Sequence, residues 1–197
     1  GMKHVFAPAL FCLLLAACDD APPSEAKRSP NQQPERIVSL NLCTDQLLVA
    51  LADRGQIAGL TRNARDADMS WVADRVAGLP ILGSAAEQVL AIQPDLVLGM
   101  PASRSATLGT LQDQQYRTLD LEASLNVDDI YRSIRLTAQA VGQRARGAAM
   151  VSRMEQDLAN IAAVEAGRVA AYYQRRGYLS GSGTLIDDMM RRLGLVN

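Results

Sequence analysis

The chain has 197 residues and carries 20 lysines and arginines against 21 aspartates and glutamates, which gives a formal net charge of −1. Because no basic excess is available to neutralise phosphates, a nucleic acid is excluded as an expected partner. The single histidine is His4, so the rest of the chain offers no imidazole for a zinc site, a general base, or a Ser/His or Cys/His pair.

The first 18 residues have the pattern of a secretory signal. A basic start at Lys3 precedes the apolar run 5–15, and small residues up to Ala17 lead directly to Cys18. The run of about 11 residues is too short to cross a bilayer core of about 30 Å. A cysteine directly after Leu-Ala-Ala resembles the bacterial lipoprotein signal, which implies that Cys18 carries the lipid anchor. The alternative is an ordinary cleaved signal with a chance cysteine.

Residues 19–35 are predicted to form a flexible linker. The stretch contains four prolines in 17 residues and no aliphatic residue larger than alanine, so it has little apolar surface to bury. As a flexible coil it would reach roughly 20–25 Å. Asp19, directly after Cys18, favours retention of the anchor in the inner membrane, with the protein on the periplasmic side.

From Arg36 onward, short apolar runs alternate with helical patterns. The predicted strands are 36–40, 57–61, 80–82, 95–99 and 117–121. The predicted helices are 44–53, 71–76 with Ser70 as its N-cap, 86–92 and 103–115. Strands that alternate with helices at this spacing predict an α/β fold with a parallel sheet over residues 36–126.

Residues 127–165 are predicted to form a helical connector, because apolar residues recur there at helical spacing. A helix from about Arg144 to Val164 would be near 30 Å long, which is typical of a strut between two lobes. The remaining part, residues 166–197, is too small to bury a core of its own. Its predicted elements are a strand at 168–173, a glycine-rich turn at 181–183 and a helix at 184–193.

Four stretches carry a resemblance to one family. They are RIVSLNLCTDQLL at 36–48, IAGLT at 57–61, EQVLAIQPDLVL at 87–98 and GSGTLIDD at 181–188. Together they resemble the periplasmic binding proteins of ABC importers that carry iron-siderophores, haem or vitamin B12. The resemblance implies a non-enzymatic protein with two α/β lobes, one long interlobe helix, and a ligand held in the cleft between the lobes.

The resemblance covers residues 36–197 and also implies the partners. It implies a monomer that works with a membrane permease and its ATPase, has no cofactor, and carries a small-molecule metal chelate. Members of the family continue beyond the position of Asn197. We therefore expect a complete N-terminal lobe and a truncated C-terminal lobe.

The first candidate ligand contacts follow the first predicted strand, since ligands of open parallel sheets bind at the carboxyl ends of the strands. They are Asn41, Cys43 and Thr44. The alternative is that Asn41 or Thr44 only caps the next helix and that Cys43 packs as a small apolar group.

Further candidate contacts follow the later strands. Trp71 is the only tryptophan, and Arg62 and Arg65 precede it in the same loop. An indole beside guanidiniums suits a flat or anionic chelate; the alternative for Trp71 is a half-buried anchor of its loop. The remaining candidates are Met100, Ser103 and Arg104 after the 95–99 strand, and Tyr178 before the glycine-rich turn.

One candidate surface is acidic. The resemblance implies that Glu87 lies on the outside of its lobe and pairs with arginines of the permease. The matching acid of the second lobe is Asp187, with Asp188 as an alternative. A favourable charge in the first turn of a helix is the other interpretation of Glu87.

The sequence therefore predicts a lipid-anchored solute-binding component of an ABC importer, which captures an iron-siderophore, or else haem or cobalamin, and delivers it to a permease. One alternative is a truncated fragment that binds nothing. Another is a small α/β enzyme of the cell envelope. That enzyme would need an aspartate or glutamate as its base, and no Gly-x-Ser-x-Gly motif is present.

Overall fold

The computed structural model describes residues 32–83, 85–100, 106–162 and 166–197. The strands in these ranges are β1 (Ile37–Ser39), β2 (Ile57–Thr61), β3 (Ile81–Leu82), β4 (Leu96–Gly99) and β5 (Thr118–Asp120). The α-helices are α1 (Leu42–Leu51), α2 (Ala86–Ile92), α3 (Ala106–Asp113), α4 (Val127–Ala140), α5 (Arg144–Ala159) and α6 (Leu185–Arg192). The predicted α/β fold is confirmed.

The five strands form one parallel sheet in the order β3-β2-β1-β4-β5. Ile37 and Ser39 of β1 lie opposite Leu96 and Leu98 of β4. The chain builds outward from β1 in one direction and then returns to β4 on the other side. The strand order therefore reverses between β1 and β4, and in open α/β sheets this is the point beyond the carboxyl ends of the strands where the ligand crevice lies.

Side chains of the central strands alternate between two apolar clusters. Ile37, Leu96 and Leu98 belong to the cluster that includes residues of α1, α4 and α5, whereas Val38 and Val97 belong to the cluster with α2 and α3. All five are at most 1% exposed. The alternation follows from the pleat of the strands. Burial on both faces is the reason that these strands are apolar throughout.

The start of α5 holds the end of α1. The guanidinium of Arg146 donates to the carbonyl of Leu51 at 2.6 Å and to the carboxylate of Asp53 at 2.8 Å. The side-chain amide of Gln143 donates to the same carboxylate at 2.9 Å. These bonds satisfy a carbonyl that α1 leaves open at its C-terminus, and they join the two helices.

The connector differs from the single strut that the sequence predicts. α5 begins at Arg144 as predicted but ends at Ala159, which makes it roughly 24 Å long at 1.5 Å per residue. α4 precedes it in a helical hairpin, and Gly142 in the link has a φ of +79°, a conformation that glycine adopts without strain. Both helices pack on the sheet cluster that contains α1.

The predicted helix at 71–76 is not an α-helix. The stretch contains only the 3₁₀ turn Ala73–Arg75, and the amide of Arg75 donates three residues back to the carbonyl of Val72 at 2.8 Å. Ser70 is not its N-cap, since the buried hydroxyl of Ser70 has no hydrogen-bond partner among the residues that the structure describes. The buried apolar residues of this stretch have the spacing of a helix, but successive turns produce that spacing here.

The predicted strand at 168–173 is extended but does not pair continuously with a neighbouring strand. It forms two isolated bridges, a parallel one between Val169 and Val196 and an antiparallel one between Tyr173 and Leu179.

Gly147→Ala is expected to destabilise the protein, although alanine is the better helix former. A Cβ at position 147 would lie 2.3 Å from the Cβ of Ala138, so α4 and α5 would have to move apart. We expect the free energy of unfolding to fall by about 1–3 kcal/mol in a urea titration.

Gly109→Ala in α3 is the matched control. No neighbouring atom lies within 4 Å of a Cβ built there, so this variant should gain about 0.5–1 kcal/mol. Equal effects of the two substitutions would show that the hairpin is not closely packed at Gly147.

Candidate functional site

The crevice at the reversal of strand order is bridged by one side chain. The amide nitrogen of Asn41, which follows β1, donates to the carbonyl of Met100, which follows β4, at 2.8 Å. The bond joins the start of α1 to the end of the neighbouring strand. Asn41 is half-buried, and its side chain holds the segments that follow β1 and β4 together.

Thr44 is part of this framework and does not line the crevice. The Oδ1 of Asn41 accepts from the amide of Thr44 at 3.1 Å, which makes Asn41 the N-cap of α1. The hydroxyl of Thr44 contacts that of Ser39 at 2.8 Å and donates to the carbonyl of Asn41 at 3.0 Å. Thr44 has no exposed surface, so the structure favours the capping interpretation for both residues.

Asp45 joins α1 to β2 and was missed by the sequence analysis. Its carboxylate accepts from the amide of Thr61 at 3.1 Å and from the hydroxyl of Thr61 at 2.5 Å. Burial raises the pKa of Asp45 above its ordinary value of 3.8, and hydrogen bonds from Thr61 and Ser39 oppose that rise. The sequence feature that could have identified Asp45 is a carboxylate within an apolar helical run.

Cys43 lies in the first turn of α1 and is exposed, with a free thiol. The interpretation that it packs as a small apolar group is therefore wrong. The amides of Leu42 and Cys43 have no acceptor among the described residues. The N-terminal turn of α1 thus presents a thiol and unpaired amides at the carboxyl edge of the sheet.

Two cations lie at the same edge. Arg62 and Arg65 follow β2 in one 3₁₀ turn, and both side chains are exposed. Neither makes a hydrogen bond or ion pair with a described residue, whereas Ala64 between them is fully buried. The buried alanine fixes the turn and leaves both guanidiniums free for a ligand.

The loop that follows runs down the side of α1. The amide of Trp71 donates to the Oε1 of Gln46 at 3.0 Å, and the guanidinium of Arg75 donates to the carbonyl of Val49 at 3.3 Å. Gln46 and Val49 lie progressively farther from the start of α1. The backbone of Trp71 is therefore held beside α1 by the side chain of Gln46.

The indole of Trp71 is 59% exposed, which differs from a half-buried anchor. The guanidinium carbon of Arg75 lies 5.6 Å from the ring centroid, within the range of a cation–π contact. Val72, the next residue, is fully buried. Trp71 is therefore an exposed aromatic ring on an anchored backbone, and its contact with a ligand stays a prediction.

The other predicted contacts are distributed unevenly. Met100 is half-buried and lies at the crevice through its carbonyl bond to Asn41. Ser103 and Arg104 lie outside the described residues, as does Cys18. Tyr178 is 68% exposed in a turn of the C-terminal segment, and no described contact joins it to the crevice.

The carboxylate of Asp187 is bonded within the C-terminal segment. Its carboxylate accepts from the amide of Gly183 at 3.1 Å and from the side chain of Asn197 at 3.2 Å, and it lies 3.3 Å from the Nε of Arg191. The Gly183 amide, followed by Asn197, holds the pKa of Asp187 below its ordinary value. The side chain is largely buried, so it does not present the free surface carboxylate that permease docking requires.

Asp188 connects the C-terminal segment to the first lobe. Its carboxylate accepts from the amide of Val127, the first residue of α4, at 3.0 Å and from Arg192 at 2.8 Å. The hydrogen bond from Arg192 lowers the pKa of Asp188 most, followed by the amide of Val127. An acid near a helix N-terminus is common, and nothing in the sequence identified α4 as its partner.

Glu87 is exposed in the first turn of α2. It makes no hydrogen bond or ion pair with a described residue. α2 starts after the carboxyl end of β3, the outermost strand of the sheet. The free carboxylate therefore lies at the same edge of the sheet as the crevice but to one side of it.

In the described part of the chain, no group of three or more His, Cys, Asp or Glu side chains is arranged to hold a metal ion. None of the helices found there combines the length and apolar character that a membrane span requires.

Comparison with known proteins places this geometry in a family. Residues 37–197 match a family model described as periplasmic binding protein. A cobalamin-binding protein of Halobacterium salinarum is 25% identical over 169 residues, which cover 83% of this chain and 46% of that protein. An uncharacterized ABC transporter substrate-binding lipoprotein of Bacillus subtilis is 26% identical over 133 residues, 66% of this chain and 41% of the relative.

A solved structure shows the same fold. It is that of a possible iron-binding (periplasmic solute-binding) protein from Staphylococcus epidermidis, with a TM-score of 0.68 and 17% identity. The match covers 84% of this chain and 67% of that one. The chain spans less than half the length of the curated relatives. On the match over residues 37–197, the chain belongs to the periplasmic binding protein family.

Proposed function

We propose that this chain is the solute-binding component of an ABC importer and that its crevice captures a metal chelate. The observation that carries the proposal is the free pair Arg62 and Arg65 beside the open N-terminal turn of α1. Both features lie at the carboxyl edge of the sheet, where the strand order reverses. Ligands of open α/β sheets bind at this place.

The chemistry of this edge suits an anionic ligand. Guanidinium groups pair with carboxylate-like oxygens in a planar geometry, and the unpaired amides of Leu42 and Cys43 add donors supported by the helix dipole. A ferric siderophore presents such oxygens around its metal and is the favoured ligand, with haem or cobalamin as alternatives. The indole of Trp71 offers a flat apolar surface.

Recognition would use the organic surface of the chelate. The described residues provide no cluster of metal-ligating side chains, and the only histidine of the chain is His4. The proposal includes no cofactor and no catalysis, as the family resemblance implies. It is supported by the matched relatives, which are named as binding proteins.

Delivery and anchoring complete the proposal. The free carboxylate of Glu87 docks the loaded lobe on a basic surface of the permease, whose ATPase drives transport. Cys18 carries a lipid that holds the protein on the periplasmic face of the inner membrane, with residues 19–35 as the linker. The Bacillus subtilis relative, described as a substrate-binding lipoprotein, supports the anchor.

Binding is tested by isothermal titration of the full chain with a ferric hydroxamate, haem and cyanocobalamin. We expect at least one of the three to bind with a Kd below about 10 µM. The double variant Arg62→Gln/Arg65→Gln should weaken that binding at least about tenfold, because it removes two charge-assisted contacts.

The matched control is Arg144→Gln/Arg153→Gln, which removes the same charge from exposed positions of α5. It should leave the affinity unchanged. If none of the three ligands binds, the chain is the non-binding fragment. If binding is equal in both double variants, the ligand lies elsewhere.

Docking is tested with Glu87→Gln, which keeps the size of the side chain and removes its charge. We expect ligand affinity to be unchanged and uptake by cells that carry the matching importer to fall at least about tenfold. Asp113→Asn is the control, since Asp113 is exposed at the end of α3 and its loss should not affect uptake. Normal uptake by the Glu87 variant would refute the docking role.

The anchor is tested with Cys18→Ser. We expect the wild-type chain in the inner-membrane fraction and the variant in the soluble periplasmic fraction. The serine that replaces Cys18 has no sulfur and cannot form the thioether that links the lipid. Mass spectrometry of the wild-type N-terminal peptide should show the lipid mass on Cys18. Equal fractionation of the two proteins would contradict lipidation, and recovery in the outer membrane would contradict the inner-membrane assignment.

A further inference from the structure

The last residue of β2 is held by a helix and not by a strand. The amide of Leu60 donates to the carbonyl of Pro80 at 2.9 Å, on the β3 side of the sheet. Because alternate residues of a strand direct their backbone groups to opposite edges, the amide of Thr61 is directed to the β1 side. The pairing of β2 with β1 ends at Gly59. The amide of Thr61 donates instead to the carboxylate of Asp45 in α1, at 3.1 Å.

Asp45 supplies the acceptor that β1 no longer provides. β1 ends at Ser39, and the chain then turns into α1. The second oxygen of the Asp45 carboxylate accepts from the hydroxyl of Thr61 at 2.5 Å, and Asp45 has no exposed surface. A buried amide that loses its acceptor is costly. Two bonds from one buried carboxylate to one residue therefore fix both the position and the direction of the strand end.

The hydroxyl of Thr61 is used for this contact and not for the turn that follows. Thr61 occupies the N-cap position of the 3₁₀ turn Arg62–Arg65. A threonine at an N-cap commonly bonds the first amides of its own helix. No such bond is formed within the described turn, and the hydroxyl donates to Asp45. The start of the turn is thus tied to α1.

α1 holds the segment 61–71 at both ends and in between. Asp45 bonds the first residue of the segment, and the next residue of the helix, Gln46, accepts from the amide of Trp71 at 3.0 Å. Ala64 is fully buried in the apolar cluster that contains residues of α1. The segment therefore takes its place from α1.

We propose that Asp45 is a positioning residue, which holds the guanidiniums of Arg62 and Arg65 at a fixed place relative to the N-terminal turn of α1. Asp45 lies on the same helix as the first amides of that turn. The proposal rests on the proposed function, because these amides and guanidiniums form the proposed anion site. Asp45 acts through Thr61 and does not touch the chelate, since it is fully buried.

The ligand-free test is hydrogen–deuterium exchange of the full chain, followed by mass spectrometry of peptides that cover residues 57–66. In Asp45→Ala, part of this segment should exchange at least about tenfold faster than in the wild type, because Thr61 has lost its acceptor. Asp45→Asn should restore most of the protection, because a carboxamide accepts from the amide and donates to the hydroxyl. The control is Gly147→Ala, whose steric conflict lies between α4 and α5. It should not change exchange in residues 57–66 more than in β4.

The binding test is isothermal titration of the same variants with a ferric hydroxamate, haem and cyanocobalamin. Asp45→Ala should weaken binding at least about fivefold, because displaced donors no longer match the chelate. Asp45→Asn should recover most of the affinity, and Gly147→Ala should bind like the wild type. In the background Arg62→Gln/Arg65→Gln, Asp45→Ala should cause no further loss, because it acts through the same guanidiniums.

Thr61→Val is the second variant if Asp45→Ala does not fold. It keeps the size of the side chain and the bond from the backbone amide, but it removes the hydroxyl. Exchange and affinity should change in the same direction as in Asp45→Ala and by a smaller factor. Thr61→Ser keeps the hydroxyl and should stay closer to the wild type. Circular dichroism of each variant checks that it folds.

Unchanged exchange of residues 57–66 in Asp45→Ala overturns the positioning role, whether or not a chelate binds. So does faster exchange with unchanged affinity, or a loss in the arginine double variant equal to the loss in the wild-type background. Faster exchange in a chain that binds none of the three chelates supports the positioning role and refutes the proposed function instead.

Discussion

The reversal of strand order between β1 and β4 is the constraint on which the rest of this structure depends. It brings two strand ends together with a gap between the helices that follow them. Asn41 spans the gap by capping α1 with its carbonyl oxygen and bonding Met100 with its amide. One side chain therefore sets the start of α1 and the end of β4 at once. The exposed Cys43 is positioned by that arrangement, and Arg62 follows Thr61, which Asp45 of α1 holds.

Contacts between helices α1, α4, α5 and α6 hold α1 in place. α5 holds the end of α1 through Arg146, and α4 approaches α5 so closely at Gly147 that even a methyl group does not fit. Asp188 then connects α6 to the first residue of α4. The C-terminal segment is thus joined to the first lobe through buried and charge-assisted contacts at a helix end, where unpaired amides are available.

The polar residues fall into two groups: those that are bonded within the fold and those whose charge has no partner among the described residues. Thr44, Asp45 and Asp187 are buried and make hydrogen bonds within the protein, so they stabilise the fold. Arg62 and Glu87 are exposed and have no partner among the described residues. For a binding protein this division is useful, because a ligand or permease can pair with a free charge without breaking a native bond. The two kinds of residue look alike in the sequence.

The sequence by itself determined the α/β class, the parallel sheet and most element positions, because strands buried on both faces are apolar throughout and helices keep a period near 3.6. Tertiary structure decided which polar side chains are free. Whether Cys43 is exposed depends on neighbours far away in the chain, and Asp188 is bonded by the amide of Val127, 61 positions earlier. The course of the loop to Trp71 depends on the hydrogen bond that the amide of Trp71 donates to the side chain of Gln46. Such contacts between distant residues leave no periodic pattern for a sequence to show.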